Sequence, residues 1–329
     1  MKHRTFLRLL LLLAVLSLPL ASCAPAAVET APEPVVAEPT LEEVIEAPPS
    51  ATPDAGFDLI DDLDREVTLE APATRIVSLA PSNTEILFAV GAGDQVIGRE
   101  EYSDYPEEAL SVASIGSVYG DINTEAILAL NPDLVLAAEI NTPEQVEELA
   151  SLGLTVYYLS NPSSFDELFD NLSIVGFITG HEEEAEALND SLTARAEAVV
   201  TRVSNLDPVS VYYEVDATDV TAPYTAGAGT FQDMLINMAG GTNIAGDLDY
   251  YPQISQEELI LRNPDVMIFG ASSWVTTTAE SVAERPGWSV MTAVAEGRVF
   301  GVDSNWIDRP TPRLVDALEA FADILHPEE

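Results

Sequence analysis

The chain contains 329 residues, of which 13 are lysine or arginine and 56 are aspartate or glutamate. Nucleic acids and anionic membrane surfaces carry negative charge of their own, so a chain this acidic is not expected to bind them. The length is sufficient for two lobes, each with a hydrophobic core.

Residues 1–22 have the pattern of a signal peptide. A basic start is followed by an apolar run, residues 9–20, that is too short for a comfortable membrane span. The run ends in Leu-Ala-Ser-Cys at residues 20–23, which matches the bacterial lipobox, in which the cysteine is lipidated. Cys23 is the only cysteine and can form no internal disulfide. We therefore predict a lipid anchor at Cys23; an ordinary signal peptide with a coincidental cysteine is the alternative.

The remainder divides into a tether, two lobes and a helix between them. Residues 23–56 are rich in proline, alanine and glutamate, a composition that predicts a disordered tether. An N-terminal α/β lobe is predicted at 57–180 and a C-terminal α/β lobe at 206–329. Between them, an apolar stripe through a charged segment predicts a connecting helix at 181–205. After residue 22 the chain contains no lysine, and an acidic surface without lysine is compatible with a salty habitat.

A repeat supports the division into two lobes. Residues 122–136 recur at 254–268, with five of the fifteen positions identical. Each copy has a capping residue, a short helix with a glutamate in or near its first turn, an Asn-Pro stop and an aliphatic strand. The glutamates are Glu125 and Glu257. Two copies predict two similar α/β lobes; chance similarity of a common local element is the alternative.

Loops that follow short strands carry several aromatic residues. Tyr102, Tyr105 and Tyr119 fall in such loops, and loops beyond the carboxyl ends of parallel strands form the binding edge of an open sheet. Their rings could stack on a flat ligand or simply pack within the loops. A glycine-rich loop after Tyr224 either offers backbone N–H groups to a ligand oxygen or is a plain turn.

Motifs for catalysis are missing from the sequence. There are three histidines, and none lies in a motif with a serine or cysteine nucleophile. Phosphate-loop and zinc-protease motifs are absent as well. So few histidines make a transition-metal site improbable. The sequence therefore predicts a binding protein without cofactor or catalytic metal, rather than an enzyme.

Several stretches together carry a family resemblance. They are Arg-Ile-Val-Ser-Leu-Ala-Pro-Ser-Asn-Thr-Glu at 75–85, Tyr-Ser-Asp-Tyr-Pro at 102–106, the first repeat, Arg-Pro-Gly-Trp at 285–288 and Trp-Ile-Asp-Arg-Pro-Thr-Pro-Arg at 306–313. From about residue 57 onward the chain resembles the cobalamin-binding lipoproteins of bacterial ABC importers. These belong to the class III periplasmic binding proteins, a wider family that also includes siderophore and haem binders.

The resemblance implies a fold and a function. The fold is α/β, with two Rossmann-like lobes joined by a long rigid α-helix. The function is that of a lipid-anchored extracytoplasmic receptor, which binds cobalamin or a related corrinoid between the lobes. The corrinoid is a transported ligand, not a cofactor. A ferric siderophore or haem ligand is the first alternative; a lipid-anchored enzyme or a structural lipoprotein is an alternative of another class.

The resemblance also assigns residues. Those matching ligand-contacting positions of the family are Tyr102, Tyr119, Tyr224, Tyr251, Trp306 and Arg309. Three of the tyrosines stand where a family member has tryptophan or phenylalanine. Glu125 and Glu257 match the glutamates that dock into arginine pockets of the two permease subunits, which work with ATPase subunits. The expected partners are therefore a corrinoid and an ABC permease dimer, with the membrane contacted only through the lipid anchor.

Overall fold

The computed structural model describes residues 56–272 and 277–328. The predicted signal peptide, the lipidation site at Cys23 and all but the last residue of the predicted tether lie outside the described residues. Within the described ranges, no helix combines the length and the apolar character needed to cross a membrane.

The N-terminal part contains a hairpin and a four-stranded parallel sheet. The antiparallel hairpin consists of β1 (Phe57–Ile60) and β2 (Glu66–Leu69). The sheet has the order β4-β3-β5-β6, and its strands are β3 (Ile76–Ser78), β4 (Val96–Arg99), β5 (Leu134–Ala138) and β6 (Val156–Leu159). The accompanying helices are α1 (Pro81–Ala89), α2 (Thr124–Leu130), α3 (Pro143–Ser151) and α4 (Phe165–Thr179).

A long helix, α5 (Glu182–Val203), leads to the second sheet. That sheet has the order β11-β10-β7, with β8 and β9 both paired to β7. Its strands are β7 (Val209–Asp216), β8 (Tyr224–Thr225), β9 (Gly241–Asn243), β10 (Val266–Ala271) and β11 (Val299–Asp303). All the pairings in it are parallel except that of β8 with β7. The helices are α6 (Phe231–Met238), α7 (Gln256–Arg262), α8 (Ala279–Ala283), α9 (Thr292–Ala295), α10 (Ser304–Ile307) and α11 (Leu314–Leu325).

Each sheet is buried on both faces, because alternate residues of its strands enter different cores. In β5, Leu134 and Leu136 join a core shared with α4, α5, α11 and the second sheet, whereas Val135 joins a core of the first sheet alone. In the second sheet, Ile268 joins the shared core and Met267 a separate one. Helix α5 packs against both α4 and α11. The shared core therefore runs continuously from one sheet to the other through α5.

The repeat predicted from sequence has the same structure in both copies. Asn131 and Asn263 end helices α2 and α7 in the left-handed conformation, with φ of 49° and 45°, which asparagine tolerates better than most residues. The following aspartates each accept a hydrogen bond from the start of a neighbouring strand segment. Asp133 accepts from the N–H of Arg75 at 2.9 Å, and Asp265 from the N–H of Ser210 at 3.2 Å.

The fold prediction of an α/β protein with parallel sheets is confirmed, and the segment 181–205, predicted as a connecting helix, contains α5. Helix α1 begins at Pro81, because proline is well suited to the first helical position. Ser255 caps α7, and Glu258 in the first turn of that helix bonds to Arg262. The hairpin, β8 and α10 were not predicted.

Candidate functional site

A cavity of about 1160 Å³ lies between the two sheets. Its walls come from chain segments at or just after the carboxyl ends of β3, β5 and β6 on one side and of β7, β10 and β11 on the other. In open parallel sheets the loops at this edge are free to vary and commonly form binding sites. The two sheets therefore present equivalent edges to one cavity, whose volume suits a ligand the size of a macrocycle.

Two pairs of tyrosines form much of the aromatic surface of the cavity, one from each side. The ring centroids of Tyr102 and Tyr119 are 5.8 Å apart, and those of Tyr250 and Tyr251 are 4.8 Å apart, both in edge-to-face geometry. Burial and the carboxylate of Glu100 raise the pKa of Tyr119, and burial together with a bond to a carboxylate raises the pKa of Tyr250 to about 12. These phenols therefore remain protonated at neutral pH and can donate hydrogen bonds.

Four of the six predicted ligand residues line this cavity: Tyr102, Tyr119, Tyr251 and Arg309. Tyr224 and Trp306 are not among the described lining residues. Tyr224 lies in β8 with its side chain exposed, and Trp306 is half-buried against the shared core. Their predicted role as ligand contacts stays a prediction.

Several lining residues were missed in the sequence, notably Tyr250, Gln232, Glu139 and Asp308. They come from separate segments, so no local motif joins them. Tyr250 had a signal, since it directly precedes Tyr251 in a Tyr-Tyr-Pro stretch at residues 250–252. The others carry none that distinguishes them from the many polar residues of this chain.

The glycine-rich loop after β8 holds Tyr250 in place. The N–H of Gly227 donates to the carbonyl of Tyr250 at 2.6 Å, and the N–H of Ala228 donates to that of Leu248 at 2.7 Å. A side chain at Gly227 would overlap the Leu248 carbonyl oxygen, so this close approach requires glycine. The two N–H groups are therefore engaged, and the interpretation that they meet a ligand oxygen is wrong for them.

The floor of the cavity on the C-terminal side is a hydrogen-bonded network. Tyr213 donates its hydroxyl hydrogen to Asp308 at 2.8 Å, and burial raises the pKa of that carboxyl despite this bond. The hydroxyl of Tyr251 donates to the Gln232 side-chain oxygen at 3.1 Å. The Gln232 amide nitrogen donates to the carbonyl of Ile307 at 3.1 Å. The ring of Tyr251 is thus fixed in orientation by packing and by a buried amide.

A buried ion cluster joins the two sides of the cavity. Glu85, in α1 and 3% exposed, accepts hydrogen bonds from Arg309 at 3.0 Å and from Arg313 at 2.5 and 2.9 Å. Arg309 also donates to Asp104 at 2.8 Å. Hydrogen bonds to Asp104 and Glu85 outweigh the effect of burial and raise the pKa of Arg309. The guanidinium of Arg313 lies 3.9 Å above the ring centroid of Tyr105, a cation–π arrangement.

A second, more exposed contact crosses the cavity elsewhere. The Tyr250 hydroxyl donates a short hydrogen bond to Oε1 of Glu139, which directly follows β5. The other oxygen, Oε2, accepts from the N–H of Asn161 at 3.1 Å. Tyr250 has φ of 60°, a strained conformation for a tyrosine that the glycine-rich loop supports.

The predicted docking glutamates lie outside the cavity lining, one on each repeat. Glu125 is the second residue of α2 and Glu257 the second residue of α7, and both side chains are exposed. Asn123 and Ser255 cap these helices by accepting from a backbone N–H. The structure thus gives the two glutamates matching helical positions, and their role in docking stays a prediction.

The remaining histidines contact backbone carbonyls rather than the cavity. Nδ1 of His181 is 3.0 Å from the Thr179 oxygen, and Nε2 of His326 is 3.1 Å from the Gly240 oxygen. Across residues 56–272 and 277–328, no group of three or more histidine, cysteine, aspartate or glutamate side chains is arranged to hold a metal ion.

Comparison with known proteins places this geometry in context. A family model described as periplasmic binding protein matches residues 76–306. The chain is 32% identical over 280 residues to an uncharacterized ABC transporter substrate-binding lipoprotein, YvrC, of Bacillus subtilis (strain 168), covering 82% of this chain and 85% of that protein. It is 32% identical over 268 residues to a cobalamin-binding protein of Halobacterium salinarum, covering 79% and 71% of the two chains.

Solved structures give the same picture. The crystal structure of the periplasmic vitamin B12 binding protein BtuF of Vibrio cholerae matches with a TM-score of 0.67 and 30% identity, over 77% of this chain and 97% of that one. The periplasmic heme-binding protein RhuT from Roseiflexus sp. RS-1, in apo form, matches with a TM-score of 0.68 and 28% identity, over 77% of this chain and all of that one, 100%.

Proposed function

Because the chain belongs to the periplasmic binding protein family, we propose that it is a lipid-anchored extracytoplasmic receptor for cobalamin or a related corrinoid. It binds the corrinoid in the cavity between the two sheets and delivers it to an ABC importer. The related proteins are named as binding proteins rather than enzymes. The proposed cycle therefore consists of capture, docking and release, with no covalent step.

The facing tyrosine pairs carry the proposal. A corrin is a large, nearly planar macrocycle with polar side chains at its rim. Tyr102 and Tyr119 on one side and Tyr250 and Tyr251 on the other offer ring surfaces and phenolic donors across a cavity of about 1160 Å³. Aromatic rings contribute large contact areas at a small cost in side-chain entropy, which suits recognition of a flat ligand.

The main rival ligands are haem and ferric siderophores, because solved structures of this fold include a heme-binding protein and a protein of an Fe3+-hydroxamate transport system. Haem carries propionates, and many siderophores are anionic, so both favour cationic side chains at the binding edge. Among the described lining residues the arginine is Arg309, and its guanidinium already pairs with Glu85 and Asp104. A corrinoid, whose rim is mostly uncharged amide, fits this cavity better.

The aromatic walls can be tested with single alanine substitutions. Tyr119→Ala removes a ring that lines the cavity, and we expect cyanocobalamin affinity to fall by about tenfold or more, as for other lost stacking contacts. Phe177→Ala provides the comparison, because its ring is exposed on α4 outside the lining; its loss should change affinity by less than about threefold. Equal and small effects of both substitutions, in folded proteins, would argue against stacking as the basis of recognition.

Delivery to the importer is assigned to Glu125 and Glu257. The two exposed glutamates occupy the same position of a repeated helix, and a carboxylate can form a two-pronged bond with arginine. Two similar lobes also suit a permease dimer whose subunits present two equivalent sites. Combined Glu125→Ala and Glu257→Ala substitutions should abolish corrinoid uptake by cells while leaving ligand binding by the purified protein intact. Unchanged uptake would refute the docking assignment.

The lipid anchor is assigned to Cys23 on the sequence motif alone. Membrane fractions from cells that produce the full chain should contain the wild-type protein and lose the Cys23→Ala variant. Retention of that variant in the membrane would exclude a thioether-linked lipid as the anchor.

A further inference from the structure

Four acidic residues contribute to the described lining of the cavity. The acidic lining residues are Asp104, Glu139, Asp303 and Asp308. Two of them are engaged within the protein: Asp104 with Arg309, and Asp308 with the Tyr213 hydroxyl. Asp303 caps the short helix α10 by accepting from the N–H of Asn305 at 2.9 Å. Glu139 differs from these three because its side chain is exposed and bonds across the cavity to a neutral partner, the Tyr250 hydroxyl.

The positive charge nearest to this surface is already compensated. Arg309 donates through one nitrogen to both Glu85 and Asp104, and Glu85 in turn is bound by Arg313. A ligand carboxylate at Arg309 would bring a third negative charge beside a single guanidinium whose charge Glu85 and Asp104 already compensate. Such an excess of negative charge is unfavourable in a partly buried cluster. The cavity thus lacks a free cation on its described walls for an anionic rim group.

Glu139 is the lining carboxylate best placed to distinguish an amide from a carboxylate on the rim of a ligand. Its partners are the Tyr250 hydroxyl and the Asn161 N–H, which are neutral donors, and none of the described arginines or histidines forms an ion pair with it. Its two oxygens can accept about four hydrogen bonds, so two existing bonds leave acceptor capacity for a ligand. The side chain is exposed, and the bond to Tyr250 can be exchanged for a ligand donor without burying a charge.

We propose that Glu139 is a specificity-determining residue, which selects corrinoids whose rim side chains are intact amides over those in which an amide is replaced by a carboxylate. An amide N–H facing Glu139 donates a charge-assisted hydrogen bond. A carboxylate in the same place has no hydrogen to donate and is repelled. The inference rests on the proposed corrinoid-binding function and adds the chemistry of the rim that this chain accepts.

The test compares cyanocobalamin with its monocarboxylic acids, in which single rim propionamides have been hydrolysed. Wild-type protein, Glu139→Gln and Glu147→Gln are each titrated with every ligand. Glutamine keeps the shape of the side chain and removes its charge. Glu147 is an exposed glutamate of α3 outside the cavity lining, so its substitution changes the net charge by the same amount without touching the site.

The readout is the ratio of the dissociation constants for an acid and for cyanocobalamin, which cancels general effects on folding. We expect wild type to bind at least one acid about tenfold more weakly or worse, and Glu139→Gln to reduce that ratio to about threefold or less. Glu147→Gln should keep the wild-type ratio. High salt should lower the wild-type ratio of dissociation constants, because salt screens the repulsion between Glu139 and the carboxylate of the ligand.

Two outcomes overturn the inference in different ways. Equal binding of all the ligands by wild type, or an unchanged ratio in Glu139→Gln, removes the role of Glu139 while leaving corrinoid binding in place. Failure of folded wild-type protein to bind cyanocobalamin at all removes the proposed function and this inference with it. The cyanocobalamin titration of wild type separates the two cases.

Discussion

Two contacts between described residues cross the cavity, and they differ in how deeply they are buried. On one side, Glu85 is almost inaccessible and is held by two arginines from the other lobe. On the other side, Tyr250 and Glu139 share a single hydrogen bond, and the tyrosine is 47% exposed. Breaking a buried ion pair strands a charge in a medium of low dielectric constant, whereas an exposed bond is readily replaced by water. We infer that the ion cluster at Glu85 fixes the lobes relative to each other, and that the hydrogen bond between Tyr250 and Glu139 is exchanged when a ligand binds.

The shared core also restricts movement of the two sheets relative to each other. Helices α4, α5 and α11 contribute to one apolar cluster that also includes residues of both sheets. Small changes in lobe orientation are easier to accommodate across such a core than wide closure, because close-packed interiors resist deformation. The cavity is therefore expected to adjust mainly at Tyr250 and Glu139.

The largest effect is expected from breaking the buried cluster. Glu85→Gln removes the charge that compensates Arg309 and Arg313, so the free energy of unfolding should fall by about 3–5 kcal/mol. Denaturant unfolding of the soluble domain measures this change. Glu186→Gln, at an exposed position of α5, is the control for the altered net charge and should change stability by less than about 0.5 kcal/mol. A loss no larger than that of the control would mean that the cluster does not stabilise the folded protein.

A second buried carboxyl extends the comparison, because none of the described arginines or histidines bonds to it. Glu100 is fully buried; Ser103 donates to one of its oxygens at 3.0 Å, and the other oxygen has no partner among the described residues. Burial raises the pKa of Glu100, and bonds to Tyr102 N–H and Ser103 and the charges of Arg309 and Arg99 only partly oppose this. The folded state therefore holds the proton more tightly than the unfolded state does.

The sign of the pH dependence follows from that difference in proton binding. An unfolded chain loses the Glu100 proton near the ordinary pKa of 4.5, whereas the folded protein keeps it to higher pH. Glu100 therefore lowers the free energy of unfolding as pH rises from 4.5 through the folded pKa. Glu100→Gln removes this loss and should stabilise the protein by about 1 kcal/mol at neutral pH. The advantage should disappear below pH 4.5, which thermal unfolding across a pH series would reveal. A constant advantage at every pH would contradict the assignment.

The smallest effect is expected at the exposed contact. Tyr250→Phe removes only the hydroxyl that bonds to Glu139, so stability should change by less than about 1 kcal/mol. A double-mutant cycle with Glu139→Gln isolates the coupling between the two side chains. A coupling as large as that between Glu85 and Arg313, measured in the same way, would erase the distinction between a fixed and an exchangeable contact.

Much of the scaffold could be predicted from sequence, because its signals are local. The apolar stripe of α5, the Asn-Pro stops at residues 131–132 and 263–264 and the aliphatic strands after them each determine structure within a few residues. The repeat also indicated two similar sheets, and the resemblance pointed to four residues that do line the cavity, among them Tyr119 and Arg309.

The rest of the site depends on contacts between distant segments. Glu85 and Arg313 are separated by 228 positions, and Tyr250 and Glu139 by 111. In a chain with 56 acidic residues, no local pattern indicates which carboxylate will meet an arginine of the other lobe. The hydrogen bond from the Gly227 N–H to the Tyr250 carbonyl could not be predicted for the same reason. The sequence of a glycine-rich loop is similar whether the loop binds a ligand or another loop.

The most direct test of the proposed function is calorimetric titration of the soluble domain, residues 57–329, with cyanocobalamin, at low and at high salt, and with haemin for comparison. High salt is included because salt screens the repulsion between the many carboxylates of the acidic surface. The account predicts tight one-to-one binding of cyanocobalamin under at least one salt condition and weaker binding of haemin. Haemin binding more tightly, or no cyanocobalamin binding by demonstrably folded protein at either salt concentration, would contradict a corrinoid receptor.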